Sequence, residues 1–154
     1  MRIEFYVWGK PQPGGSKKSH VLRRKGGDLV TRANGSPVVV TRDDNDRVMD
    51  WRQAVAHAAR QVYDGELLTG PLAITVAFQF ARPKGHYGTG KNASVLRGSA
   101  DEHHTQKPDT TKLLRAVEDA LTAVVWRDDS QVVNQVASKQ WGDTSGARVV
   151  IETI

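Results

Sequence analysis

The sequence predicts an α/β fold of the α+β kind: a small mixed β-sheet packed with two main helices, in the order β-(β)-α-β-α-β-β. Three observations carry this. Apolar residues alternate with period two near the start, in the middle and towards the end of the chain, the pattern of half-buried strands. Between them, two stretches repeat apolar residues at helical spacing. No internal repeat or linker interrupts the 154 residues, so residues 1–154 read as one domain, long enough for a real core.

In "RIEFYVW", Ile3, Phe5 and Val7 alternate with Arg2, Glu4 and Tyr6, which predicts the first strand. From about residue 9 to 37, Gly, Pro, Ser and basic residues dominate, and the segment reads as a long loop or loose hairpin. There Lys10, Lys17, Lys18, Arg23, Arg24, Lys25 and Arg32 face only Asp28. A short strand, "PVVVT", follows. Thr41 and Asp44 have the spacing of a capping box, with Asp in place of Glu, before a helix carrying Val48, Trp51, Val55, Ala59 and Val62. "DGELLTGP" ends it. "LAITVAFQF" then alternates Leu72, Ile74, Val76, Phe78 and Phe80 as a strand. Residues 82–107 form a second long loop, basic until Asp101 and Glu102; loops of this length are functional or disordered. The second helix carries Leu113, Leu114, Val117, Ala120, Leu121 and Val124 as its apolar stripe. "SQVVNQVASKQW" and "ARVVIETI" are the last strands, and "GDTSG" between them has the turn chemistry of a hairpin.

The charge balance selects partners. Lys and Arg total 22 against 17 Asp and Glu, a net charge of +5 that favours polyanions, above all nucleic acid. The absence of cysteine excludes disulfides, thiolate metal sites and a cysteine nucleophile. No apolar run is long enough to span a membrane and no signal pattern opens the chain, so the expected location is the cytoplasm, with no membrane partner.

Against this basic background, carboxylates flank the second helix. Asp109 follows Pro108 at its N-terminus, and Asp128 and Asp129 lie in the turn beyond its end. Asp109 reads equally well as an N-cap, and Asp128 and Asp129 as polar turn residues. Four turns of helix separate the two ends by roughly 20 Å, so the acids meet only if the chain doubles back.

The stretch "KPDTTKLLRAVEDAL…WRDDSQVV" resembles the signature of the RusA family of Holliday junction resolvases, common in phages and prophages. The family pattern runs K-P-D-x-D-N-x-x-K, then D-A-L at the helix end, then D-D-x-Q-V entering a strand. Lys107, Pro108, Asp109, Asp119, Ala120, Leu121, Asp128, Asp129, Gln131 and Val132 match it. The opening "FYVWGKPQPGGSKK" is similar to the family's first strand and Pro/Gly/basic loop. The resemblance implies a homodimeric, Mg²⁺-dependent endonuclease, with Mn²⁺ as a substitute ion. Its partner would be branched DNA, and it would cut four-way junctions in paired, symmetric fashion during recombination and repair, in a bacterial host or phage-infected cell. Carried over, the catalytic positions are Asp109, Thr111, Arg115 and Asp129. Thr111 stands where the family has an acid, Arg115 where it has lysine, and Lys112 where it has asparagine.

On that resemblance, local chemistry assigns roles. Mg²⁺ takes oxygen ligands and keeps several waters, so Asp109 and Asp129, with a phosphate oxygen, suffice to hold it; Asp128 would bind directly or through water. Thr111 would orient a water. Arg115 and Lys112 would neutralise charge developing on the phosphate, although Lys112 at i+3 also suits an ion pair with Asp109. Lys17, Lys18, Arg23, Arg24, Lys25 and Lys107 are the expected DNA contacts. Two other readings stand beside this one: a catalytically weakened relative that binds branched DNA, suggested by Thr111, and a small basic interaction protein whose acids are caps and turns. Elsewhere, His103 and His104 read as solvated loop residues, and "GTGKN" lacks the spacing of a phosphate-binding loop. Trp8, Trp51, Trp126 and Trp141 read mostly as core, with Trp126 able to wall the site, and Tyr87 as able to stack on an unpaired base.

Overall fold

The computed structural model describes residues 1–15, 17–43 and 47–154; the side chains of residues 17, 18 and 41–43 are outside that description. The Thr41–Asp44 capping box therefore lies outside the described residues. The elements are β1 (Arg2–Trp8), β2 (Lys17–Val21), β3 (Val39–Asp43), α1 (Arg47–Val62), β4 (Leu72–Ala81), α2 (Thr110–Leu121), β5 (Val132–Gly142) and β6 (Gly146–Thr153). Four strands form a mixed sheet in the order β1-β6-β4-β5, and β2 and β3 form a separate antiparallel ladder. The expected α+β architecture is present.

Strand alternation sorts the sheet into two faces. Ile3, Phe5 and Val7 of β1, the alternate apolar residues of β4 from Leu72 to Phe80, and Ala147, Val149 and Ile151 of β6 are buried. They form one core with Val48, Trp51, Val55 and Ala59 of α1 and with Leu113, Val117 and Leu121 of α2. The two helices contact each other, α1 also contacts β1, and α2 contacts β5. On the opposite face Arg2 and Arg148 are both paired to Glu4, and Val150, Thr75 and Val136 continue the same row across the sheet.

Four details depart from expectation. β5 and β6 do not form a hairpin, because β4 lies between them, parallel to β5 and antiparallel to β6. The apolar run of β4 is best buried with a neighbour on each side, and the "GDTSG" connection crosses its end. There Gln79 Nε2 donates to the Thr144 carbonyl at 3.0 Å, and the Ala81 amide to Ser145 Oγ at 3.0 Å. α2 stops at Leu121 instead of running on to Val124. Ala123 has φ 61°, which reverses the chain and folds Val125 and Trp126 completely into the core. Trp8 is 69% exposed, unlike the buried Trp51 and Trp126. His104 is buried, not solvated: its ring stacks on Trp141 with centroids 4.0 Å apart and sits 4.5 Å from that of Phe80, which draws the end of the 82–107 segment onto the sheet.

The 9–37 segment is the loose hairpin expected. β2 pairs with β3, and isolated bridges join Arg23 to Leu29 and Thr31 to Pro37.

Phe78 is fully buried at the centre of β4. Phe78→Ala is expected to lower stability by about 3–5 kcal/mol through lost burial and a residual cavity. Val136→Ala, on the exposed face of β5, is expected to change it by less than about 1 kcal/mol. Urea unfolding followed by circular dichroism measures both, and similar midpoints for the two variants would contradict this placement of the core.

Candidate functional site

α2 fixes the geometry of the site. At its N-terminus, Asp109 is the N-cap, yet its side chain makes no capping hydrogen bond. The carboxylate instead faces Lys112 Nζ at 3.8 Å and is largely exposed. Asp109 lines a shallow groove of about 250 Å³ with Pro13, Lys107, Pro108 and Lys112. Two contacts position this end. Lys139 Nζ, from β5, donates to the carbonyls of Gln106 at 2.6 Å and Pro108 at 2.9 Å. The Gly14 amide donates to the Lys112 carbonyl at 2.8 Å. Gly14 and Gly15 lie directly against the helix: a Cβ on Gly14 would come within 3.2 Å of Ala116, and one on Gly15 within 3.1 Å of Arg115 Cδ.

At the other end, the turn after α2 is built by hydrogen bonds. Asp128 caps a single 3-10 turn, Asp129–Gln131, and accepts from the Ser130 amide at 2.9 Å. Gln131 returns the bond, its Oε1 accepting from the amides of Arg127 and Asp128, while its Nε2 donates to the Leu68 and Gly70 carbonyls. Hydrogen bonds from Ser130, and a smaller one with Asp129, hold the Asp128 carboxyl below the ordinary aspartate range. The turn reading of Asp128 is therefore real, while Asp129 opens the turn and is exposed.

Between these ends lies a residue that sequence reasoning missed. Glu118 is 9% exposed, and Gln135 Nε2 of β5 donates to its Oε1 at 2.6 Å. Burial pushes its carboxyl pKa up; the Gln135 hydrogen bond opposes this, the charges of Asp129 and Asp119 add to it, and Arg115 offsets part. The signal was present: Glu118 falls four residues after Leu114 and three before Leu121, on the apolar stripe, where a carboxylate is costly without a purpose. Asp119, beside it, forms an ion pair with Arg52 of α1.

The structure thus gathers Asp109 with Lys107 and Lys112 at one end of α2, and Asp128, Asp129 and Glu118 near the other. Thr111, Arg115 and Glu118 stand at i, i+4 and i+7, a single stripe joining the two groups. The 12 residues of α2 separate its ends by about 18 Å. Among the described residues, no three His, Cys, Asp or Glu side chains converge as a metal cage. Arg23, Arg24, Lys25 and Lys107 are exposed, with Arg23 donating to the Gly27 carbonyl at 2.8 Å. The Lys17 and Lys18 side chains lie outside the described residues.

No helix among the described residues is long and apolar enough to cross a membrane. Over 155 aligned residues the chain is 26% identical to the uncharacterized protein YqaN of Bacillus subtilis (strain 168), an alignment covering 99% of this chain and 96% of that protein. Residues 13–152 match the family model described as endodeoxyribonuclease RusA. That match takes in most of the sheet, both helices and the acids Asp109, Glu118, Asp119, Asp128 and Asp129, and by it the chain belongs to the RusA endodeoxyribonuclease family.

Proposed function

We propose that this chain is a divalent-metal-dependent endonuclease that resolves four-way DNA junctions by paired cuts, acting as a homodimer in the cytoplasm. The family match supports the nuclease reading. The observation that carries it to a mechanism is the buried Glu118 carboxylate, on one stripe with Thr111 and Arg115 and within the field of Asp129. Thr111 leaves the family's second acid position without a carboxylate, and Glu118, two helical turns on, supplies one.

The donor chemistry fits Mg²⁺, or Mn²⁺ in its place, which needs only one or two carboxylates when waters and a phosphate oxygen complete its shell. Asp129 and Glu118 would hold the ion, with Asp128 next to them engaged by Ser130. When bound, such an ion polarises the scissile phosphate and lowers the pKa of a water. Gln135 orients Glu118 by its hydrogen bond, and Arg115, one turn away, stands where it can meet negative charge developing on the phosphate. Lys112 pairs with Asp109 and, with Lys107, attracts the DNA backbone. Because about 18 Å of helix lies between Asp109 and the Asp128–Asp129 turn, Asp109 serves the cut from the second copy of the chain. A C₂ dimer supplies two equivalent sites for a substrate with its own approximate two-fold symmetry.

A second reading has one observation in its favour. Thr111 is exposed and brings no charge, which suits a relative that binds branched DNA but cuts it weakly. A synthetic four-way junction assayed with and without Mg²⁺ separates the two.

Asp109→Asn and Asp129→Asn are each expected to abolish cleavage while leaving metal-free junction binding within about threefold, since a single lost charge changes only one ion pair or metal contact. Mixed together, the two variants should regain single-strand nicking, because half of the sites in a mixed dimer keep both acids. Cleavage by Asp129→Asn at the wild-type rate would sink the assignment, and a mixture with no nicking would restrict the site to one copy.

Glu118→Gln is expected to lose cleavage, and Thr111→Asp to lower the Mg²⁺ concentration for half-maximal cutting. Since the folded-state pKa of Glu118 is raised, its contribution to stability is present below the unfolded value, about 4.3, and lost as pH rises through the folded one. Glu118→Gln should therefore raise the melting temperature at neutral pH and give no such gain below about pH 4. An unchanged melting temperature at neutral pH would remove the buried charge from the account.

Neutralising Arg23, Arg24 and Lys25 together with Lys17 and Lys18 should weaken junction binding and flatten its dependence on salt, since the slope tracks the phosphates contacted. A salt titration with the slope unchanged would take the 9–37 segment out of the interface.

A further inference from the structure

Trp8 ends β1 with most of its indole in solvent, a large flat face open to a ligand. Its ring leans on Tyr6, with centroids 4.4 Å apart, which limits its motion. Trp8 lines a groove of about 420 Å³ together with Lys10, Gln12, Arg47, Asp50 and Trp51. Lys10 also lines a second groove, of about 360 Å³, with Lys107 and Pro108. Those two residues in turn line the groove that contains Asp109 and Lys112. Shared walls make the three one track, with Asp109 at one end, Trp8 at the other, and Lys112, Lys107 and Lys10 along it.

We propose that this track carries a single strand of the branched DNA, with phosphates along Lys112, Lys107 and Lys10 and one unstacked base on the Trp8 indole. The inference deepens the branched-DNA reading and rests on it. Every base has a π-face that an aromatic side chain can cover, whatever the sequence. At the Trp8 end Arg47 and Asp50 both line the groove, one cation and one carboxylate, so charge there does not choose between phosphate and base; the exposed indole, which offers a flat face to a base, does. A paired base has its faces covered by its neighbours in the stack. The Trp8 contact therefore selects DNA with an unstacked position, which a branch point provides and a duplex does not.

Metal-free anisotropy titrations of wild type, Trp8→Ala and Trp8→Phe would use three probes: a synthetic four-way junction, a single strand and a linear duplex. Trp8→Ala should bind the junction and the single strand roughly 5- to 140-fold more weakly, the loss of one base–aromatic stack. Its duplex affinity should be unchanged, and Trp8→Phe should recover most of the loss. Equal junction affinity for wild type and Trp8→Ala overturns the inference and leaves the branched-DNA reading standing. Equal losses on all three probes also overturn it, because a stacking platform cannot act on paired bases. Sedimentation is the second measurement: a Trp8→Ala monomer where wild type is a dimer would assign the indole to assembly instead. A wild-type protein with no preference for the junction over the duplex would overturn both readings.

Discussion

The polar tethers between α2 and the edge strand β5 govern the functional end of this molecule. Lys139 and Gln135 lie four residues apart on β5; the first holds the carbonyls that lead into α2, the second holds Glu118 further along it. The apolar stripe of the helix supplies adhesion to the sheet, but adhesion has no direction along the helix axis. Hydrogen bonds do. The two tethers fix both the rotation of α2 and its position along the strand, so that the Thr111–Arg115–Glu118 stripe is presented in one register.

Glu118 shows how function and stability pull apart here. A carboxylate on a helix's buried stripe loses hydration, and the Gln135 bond returns only part of it. Leucine at that position would suit the core better. A carboxylate there makes sense if the charge has work to do, and a desolvated carboxylate that is hard to ionise alone is one that a divalent cation would stabilise strongly. The turn beyond the helix has the opposite character. Asp128 caps the turn through one oxygen, and the Gln131 side chain pins the turn to the Leu68–Gly70 backbone, so Asp129 is carried on a tethered turn.

Much of the framework was legible in the residues. Period-two alternation identified β1 and β4, and helical spacing identified both helices, because each element buries one face and its sequence must say which. What escaped notice was decided by neighbours distant in sequence. The "GDTSG" turn looks like a hairpin locally, but the wholly apolar β4 claims the place between β5 and β6, and only its interstrand pairing reveals that. His104 reads as a polar loop residue until the stack of Trp141 and Phe80 is assembled around it. Trp8 reads as core by its type, yet its strand places it beyond the buried stretch. The acids at Asp109, Asp128 and Asp129 were legible as candidates from their motif. Glu118 was legible from its place on the apolar stripe, but beside Asp119, which pairs with Arg52, it passes for one more surface charge.

The contact of Gly14 and Gly15 with α2 divides the first basic segment into two parts with different freedom to change. At Gly14 and Gly15, the chain is seated on the helix so closely that a side chain would press on Ala116 or Arg115. Past it, among the described residues, the β2–β3 ladder packs mainly against itself. Insertions, deletions and charge changes there would alter the surface of the protein without shifting α2 or the acids near its ends. Such a seam would let the outer module vary in length and charge while the part seated on the helix keeps its shape.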